Sequence, residues 1–214
     1  NLIYKYKMIK IVLDFETSGL NPYHDDIIEV AMKVLDSDNS YSTLIKPKSN
    51  ECISPTITRL TGITNKMLAT EGIDWIDAYN QMNDWLLSLK NKDSDNKYCI
   101  ISHNGESFDF IFLKRIFKDL KSMNKRTISD KNILYLDTLL ISKRLFKNRS
   151  SYNQKSLCCH YNISSEGNHR AMNDILALED LFNKLIEDLN KKLNKRKNIY
   201  DDLHIVENYI KLKN

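Results

Sequence analysis

Short apolar runs alternate along this chain with longer amphipathic stretches, a pattern that predicts strands interleaved with helices. Ile9–Leu13 is an apolar run followed by polar and turn residues, which predicts a buried strand. Ile27–Leu35 and Ser40–Ile45 are rich in strand formers and flank the turn-type segment Asp36-Ser37-Asp38-Asn39, predicting an antiparallel hairpin. A loop with Pro47 and Pro55 follows, then a short helical turn near Thr56–Leu60. Between Asp74 and Leu89, the residues Trp75, Tyr79, Met82, Leu86 and Leu89 mark one face of an amphipathic helix. Asn91–Lys97 is polar and predicts a loop, and Tyr98–Ser102 is the next strand. Ser107 is then the expected cap of a helix carrying Phe108, Phe112, Ile116 and Leu120. Ile133–Leu136 predicts a fifth strand, with Asp137 capping the helix after it. The last strong helix begins near Arg170 and presents Ala171, Ile175, Leu178, Phe182, Leu185 and Leu189 as its buried stripe. The order is a hairpin-led sheet with helices on its faces, an α/β fold in one domain.

Composition narrows the picture only slightly. The 214 residues are 42% hydrophobic and 28% charged, enough to bury a core without disulfides or a structural metal. No run approaches the roughly 20 apolar residues of a membrane span, and Asn1–Lys10 has no apolar signal core, so no membrane partner is expected. Residues Asn1–Lys7, ahead of Met8, read as leader, linker or read-through. Cys52, Cys99, Cys158 and Cys159 form no C-x-x-C pair, so reduced thiols and an intracellular (cytoplasmic or nuclear) location are expected. The net charge of +4 is a mild basic bias that gains weight if acidic residues are gathered at one site.

Three acidic elements carry the chemistry. In Asp14-Phe15-Glu16 the carboxylates are two residues apart at a strand end, and strand side chains repeat every two residues, so both face one side. Side by side they raise each other's pKa, and a hard divalent cation bound between them relieves the repulsion. Alone, the pair also fits an ordinary surface position. The second element, His103-Asn104-Gly105-Glu106-Ser107-Phe108-Asp109, runs from a strand end into a helix, where ligand sites of open α/β sheets gather. The third is His169-Arg170-Ala171-Met172-Asn173-Asp174. Five residues on a helix leave two side chains about 140° apart. His169 therefore belongs to the loop before the helix and Asp174 to its first turns, and a loop His beside carboxylates suits a general base. One such element is weak; three in sheet-associated positions point to a shared metal site.

The sequence thus resembles the DEDDh, or DnaQ-like, 3′–5′ exonuclease family, through Asp-Phe-Glu-Thr-Ser-Gly-Leu (14–20), His-Asn-Gly-x-x-Phe-Asp (103–109) and His-Arg-Ala-x-x-Asp (169–174). The second motif is similar to that of the three-prime repair exonuclease branch. The resemblance implies an RNase H-like fold, a mixed five-stranded sheet of order 3-2-1-4-5 with strand 2 antiparallel, flanked by helices. It implies an exonuclease domain over residues 8–190, and the lysine run with the apolar spacing beyond it predicts a basic helical extension over 191–214. It implies two divalent ions, Mg²⁺ or Mn²⁺, one held by Asp14, Glu16 and Asp174, the other by Asp14 and Asp109, with His169 as general base. Thr17 would offer its backbone N–H to the terminal 3′-hydroxyl and Leu20 would wedge against the last base. The expected partner is a nucleic-acid 3′ end, single-stranded DNA first and RNA second.

Other residues have quieter readings. Glu29 and Asp137 suit structural hydrogen bonding and helix capping, and Trp75 and Trp85 suit helix packing. His103 and Asn104 either touch the substrate strand or shape their turn. Lys191–Lys197 is either a solvated helix face or a phosphate track. Leu203, Val206 and Ile210 suit a short helix that folds back or meets a partner. An exoribonuclease, a proofreading subunit bound to a polymerase, a homodimer and a non-catalytic nucleic-acid-binding module remain open readings of the same sequence.

Overall fold

The computed structural model describes residues 8–89, 97–164, 170–193 and 203–211. Its five strands are β1 (Ile9–Thr17), β2 (Ile27–Val34), β3 (Ser40–Leu44), β4 (Tyr98–Ser102) and β5 (Ile133–Asp137). They form one sheet of order β3-β2-β1-β4-β5, as the resemblance implied. β2 runs antiparallel to both β1 and β3, whereas β1, β4 and β5 are mutually parallel. The helices are α1 (Pro55–Thr61), α2 (Asn65–Thr70), α3 (Trp75–Ser88), α4 (Asp109–Ser122), α5 (Thr138–Leu145), α6 (Gln154–His160), α7 (Ala171–Leu193) and α8 (His204–Lys211).

Period-two alternation sorts β1 between two cores. Ile11, Leu13 and Phe15 join Val30, Met32, Tyr98 and Ile100 under α3 and α4. Val12 faces the other way, with Ala31, Cys99, Ile101 and Leu136 under α5, α6 and α7. Asp14 and Glu16 share the parity of Val12 and extend that second face where its apolar residues stop. The stripe from Ala171 to Leu189 is fully buried as its spacing predicts. Each large side chain in it contributes about 1.5–3 kcal/mol of burial. That packing anchors α7 so that its first turn overlies the polar end of β1.

Caps set most helix starts. Ser54, Thr64, Asp74 and Asn153 each accept a hydrogen bond from a backbone N–H in the first turn of their helix. Asp137 caps α5 by accepting from Leu139 N at 2.8 Å. Ser107 does not cap α4. A 3₁₀ turn over Gly105–Ser107 takes up that segment, and α4 starts after Phe108 with no side-chain cap. β1 also runs past the expected end at Leu13 to Thr17, because β2 pairs with it that far. α8 folds back on α5 and β5, and Leu203 and Val206 are buried in the α7-side core. No described helix is long and apolar enough to cross a membrane.

Candidate metal centre

The site lies where β1 outruns β4. Pairing between these strands stops at Val12↔Ile101, whereas β1 stays paired with β2 through Thr17, with a register shift between Glu16 and Thr17. Asp14 and Glu16 project from this tip toward the first turn of α7, which brings Asp174. Asp14, Glu16 and Asp174 each place a carboxylate oxygen within 4.8 Å of the others, and all three are half-buried. The donor set is entirely hard oxygen, the chemistry that Mg²⁺ and Mn²⁺ select. These residues fit such an ion.

The electrostatics follow from that crowding. Removal from water raises the Asp14 carboxyl well above the usual range, and Asp109, Glu16, Asp174 and Glu29 raise it further. Glu16 is pushed up to about 8, mainly by burial and then by Asp174, Glu29 and Asp109, while Arg170 opposes the shift. Asp109 is raised to about 7 by burial, against the lowering effect of hydrogen bonds from Ser102 and Phe15. Carboxylates driven this far toward the neutral form are poised to trade protons for a cation.

Asp109 holds a different place from the other three. It is buried at the start of α4, accepting from Phe15 N at 3.1 Å and from Ser102 Oγ at 2.5 Å. It therefore closes the gap that β4 leaves beside β1, and reaches Asp14 through their mutual repulsion. Asp174 is set by an ion pair that crosses the sheet face. Glu29 stands opposite Glu16 in the β1–β2 register, a like-charge pairing that is unfavourable unless neutralised. Arg170 neutralises it, donating from Nε at 3.0 Å and Nη2 at 2.7 Å to Glu29 Oε1. Glu29 Oε2 also accepts from Ala171 N at 3.1 Å, so one carboxylate caps α7 and fixes the turn that carries Asp174. Glu29 thus has the structural role its sequence context suggests, and the arginine of the third motif is what it clamps.

Asp137 does more than cap α5. Its carboxylate also accepts from Asn104 N at 2.9 Å and Glu106 N at 3.1 Å, bracing the second motif. Asn104 is left-handed there (φ 63°), a conformation asparagine tolerates. His103 Nδ1 lies 2.9 Å from Thr138 Oγ1, and burial lowers the ring to about 4. His103 is therefore neutral and tied to the α5 start, and Asn104 is exposed beside it. Thr17 is buried, with Oγ1 donating to Gly19 O at 2.6 Å, and Leu20 is 79% exposed just beyond. The loop carrying Leu20 is braced by Arg115, which donates to Pro22 O and Asp25 O. A Cβ at Gly19 would sit 2.3 Å from Asp25 Oδ2 and would displace that carboxylate from Asn21 N. Trp75 packs edge-on against Tyr79 and Trp85 donates to Asn39, both packing roles. His169 lies outside the described residues, as does the basic run beyond Leu193.

A mixed 3-2-1-4-5 sheet with carboxylates gathered at the tip of its central strand is an RNase H-like architecture. The exonuclease family model RNase_T matches residues 11–182, and the chain belongs to that family. The chain is 32% identical over 200 residues to a PolC-type DNA polymerase III of Thermotoga petrophila, a match covering 90% of this chain and 13% of the polymerase. It is 28% identical over 191 residues to the chloroplastic/mitochondrial exonuclease DPD1 of Arabidopsis thaliana, covering 86% of this chain and 58% of that one. The chain thus spans about an eighth of the PolC-type relatives and over half of DPD1. Among solved structures, E. coli Exonuclease I bound to a dT13 oligonucleotide superposes with a TM-score of 0.67 at 19% identity, over 88% of this chain and 43% of that one. That likeness concerns the fold.

Proposed function

We propose that the chain is a metal-dependent 3′–5′ exonuclease that releases nucleoside monophosphates from DNA ends. The observation that carries this is the convergence of Asp14, Glu16 and Asp174 within 4.8 Å, with Asp109 alongside, in a chain of the exonuclease family. Asp14, Glu16 and Asp174 would hold one Mg²⁺ or Mn²⁺, and Asp14 with Asp109 a second. When bound, such ions offset phosphodiester charge and favour ionisation of a water nucleophile.

The chain's own residues supply the rest. His169, which precedes α7 in the sequence, takes the proton from the attacking water. An unperturbed imidazole near pKa 6.5 is suited to that task near neutral pH. The water oxygen bonds to phosphorus as the bond from phosphorus to the 3′-oxygen of the preceding nucleotide breaks. A 5′-monophosphate leaves, and the freed 3′-oxygen takes a proton from solvent to become the new 3′-hydroxyl of the shortened strand. Thr17, held rigid by its bond to Gly19 O, presents its backbone N–H to the terminal 3′-hydroxyl, and Leu20 packs on the last base. His103 and Asn104 border the path of the strand, with His103 chiefly holding the turn.

The test is degradation of 3′- and 5′-labelled DNA and RNA of one sequence with Mg²⁺, Mn²⁺ or EDTA, beside Asp14→Asn and His169→Ala. Mononucleotide release from the 3′ end, lost in EDTA and in both variants, is the expected result. Faster release from RNA would transfer the activity to an exoribonuclease. No metal-dependent release from either polymer would overturn the reading. The matches to PolC-type polymerases favour a second reading, proofreading beside a polymerase. A release rate that rises when such a polymerase is added would establish it.

A further inference from the structure

The polar face of α4 is basic where those of its neighbours are not. α4 carries Lys114, Arg115, Lys118 and Lys121 against one acidic surface residue, Asp119, which is already paired with Lys48 at 2.9 Å. α3 has no Lys or Arg between Trp75 and Ser88, and α7 mixes Lys184, Lys191 and Lys192 with Glu179, Asp180, Glu187 and Asp188. A lysine-rich composition would load all three helices alike, so the contrast belongs to α4 itself.

Lys114, Lys118 and Lys121 stand at i, i+4 and i+7, one face of a helix. All three are exposed, and Lys125 and Arg126 follow, also exposed, past the left-handed turn at Asn124. Lys114 lies over the Tyr135 ring at 4.7 Å. Lys118, Lys121 and Lys125 have no carboxylate partner among the described residues. Arg115 faces away from this stripe, toward the Pro22–Asp25 loop. The helix starts at Asp109, inside the acidic site, so the stripe begins about 7 Å along the axis from that residue and leads outward. From Lys114 to Lys121 it covers about 10 Å, against about 3.4 Å between successive phosphates of one strand along a duplex.

We infer that the α4 stripe is a phosphate-binding track for the nucleic acid upstream of the end being cleaved, with Lys118, Lys121 and Lys125 as its main contacts. This rests on the exonuclease reading for its substrate, but its test does not depend on turnover. Each lysine that neutralises a phosphate releases a counterion, contributing about 0.7 to the slope of log affinity against log salt on a single strand.

The experiment measures binding of a fluorescent oligothymidylate by anisotropy in EDTA over a salt series. It compares the full chain with Lys118→Gln/Lys121→Gln/Lys125→Gln and with a control of equal charge change at exposed lysines elsewhere, Lys147→Gln/Lys184→Gln/Lys211→Gln. The α4 variant should lower the salt slope by about 2, so that wild type loses about twentyfold more affinity than the variant over a fourfold rise in salt. The control should keep the wild-type slope. In the activity arm, kcat/KM on the long oligonucleotide should fall while a dinucleotide, too short to reach the stripe, is released at the wild-type rate. Equal slopes in both variants would reduce the effect to net charge and overturn the track. An unchanged slope in the α4 variant would overturn it too. If the triple variant does not fold, the single Lys118→Gln should still lower the slope by about 0.7. A wild type that binds with the α4-dependent slope yet releases no nucleotide would sink the enzymatic reading and leave the track standing.

Discussion

Metal-free protein should lose stability as pH rises from 6.5 to 8, and divalent cation should restore it. Glu16 has an ordinary carboxyl value of 4.5 and is held near 8 in the fold. Between those values the unfolded chain has lost the Glu16 proton and the folded chain keeps it. The folded state binds more protons, so stability is fullest below 4.5 and falls as pH climbs toward 8. His103 acts the other way below 6.5, because burial holds it near 4 and the unfolded chain then binds the extra proton. The clean window is therefore 6.5 to 8. At about 1.4 kcal/mol per pH unit the Glu16 contribution there is about 2 kcal/mol, and solvent at this half-exposed site trims it to about 1–2 kcal/mol. Asp14 and Asp109 act in the same sense. For a chain of this size that corresponds to a Tm drop of about 2–8 °C. Thermal melts in EDTA across the window, repeated with Mg²⁺ or Mn²⁺ and with Asp14→Asn/Glu16→Gln, would measure it. The double variant should keep only the smaller slope that buried Asp109 contributes in this window, and cation should flatten the wild-type curve. A Tm that holds or rises in EDTA, or a fall of full wild-type size in the double variant, would refute the electrostatic account of the site.

Three further outcomes follow from the same geometry. Asp14→Asn should abolish nucleotide release while raising the EDTA melting temperature at pH 8, because it removes one of the crowded carboxylates; a lower Tm would argue against repulsion at the site. Glu29→Gln should cost about 2–3 kcal/mol in urea unfolding, since a charge-assisted bidentate pair and the α7 cap weaken together, and kcat should fall with KM little changed as Asp174 loses its fixed position. Asp137→Ala should cost about 2–4 kcal/mol, because the backbone N–H groups of Asn104, Glu106 and Leu139 lose their acceptor, and Asp137→Asn should recover part of it.

The sheet was legible in the sequence because its strands alternate or run apolar between turn residues, and the α7 stripe because six apolar residues repeat at helical spacing. The three motifs were legible as motifs. Less legible was how each is held. Ser107 looked like a cap because sequence shows a polar residue before an apolar period, but the left-handed Asn104 and the 3₁₀ turn after it consume that position. The short helices α2 and α6 had their signals in Thr64 and Asn153, each capping a helix of only two turns. Glu29 opposite Glu16 depends on a hairpin register that local pattern leaves open. The hydrogen bonds that Asp137 accepts from Asn104 N and Glu106 N, and Asp109's bond to Phe15 N, join residues far apart in the chain, so no window of sequence contains them.

That separation has a consequence for the making of the protein. All five strands are present once residue 137 has been synthesised, although the sheet face bearing Val12, Ile101 and Leu136 is covered only by the helices that follow. Asp174 and the Glu29–Arg170 clamp come from a helix that follows, bridging 141 positions from Glu29. A chain still emerging, or cut short before α7, can carry a nearly complete sheet with an incomplete acidic centre. Contacts of such long sequence separation form late, so hydrolytic competence would arrive only with the end of folding, and a truncated product would bind no metal at full strength and leave nucleic acid intact.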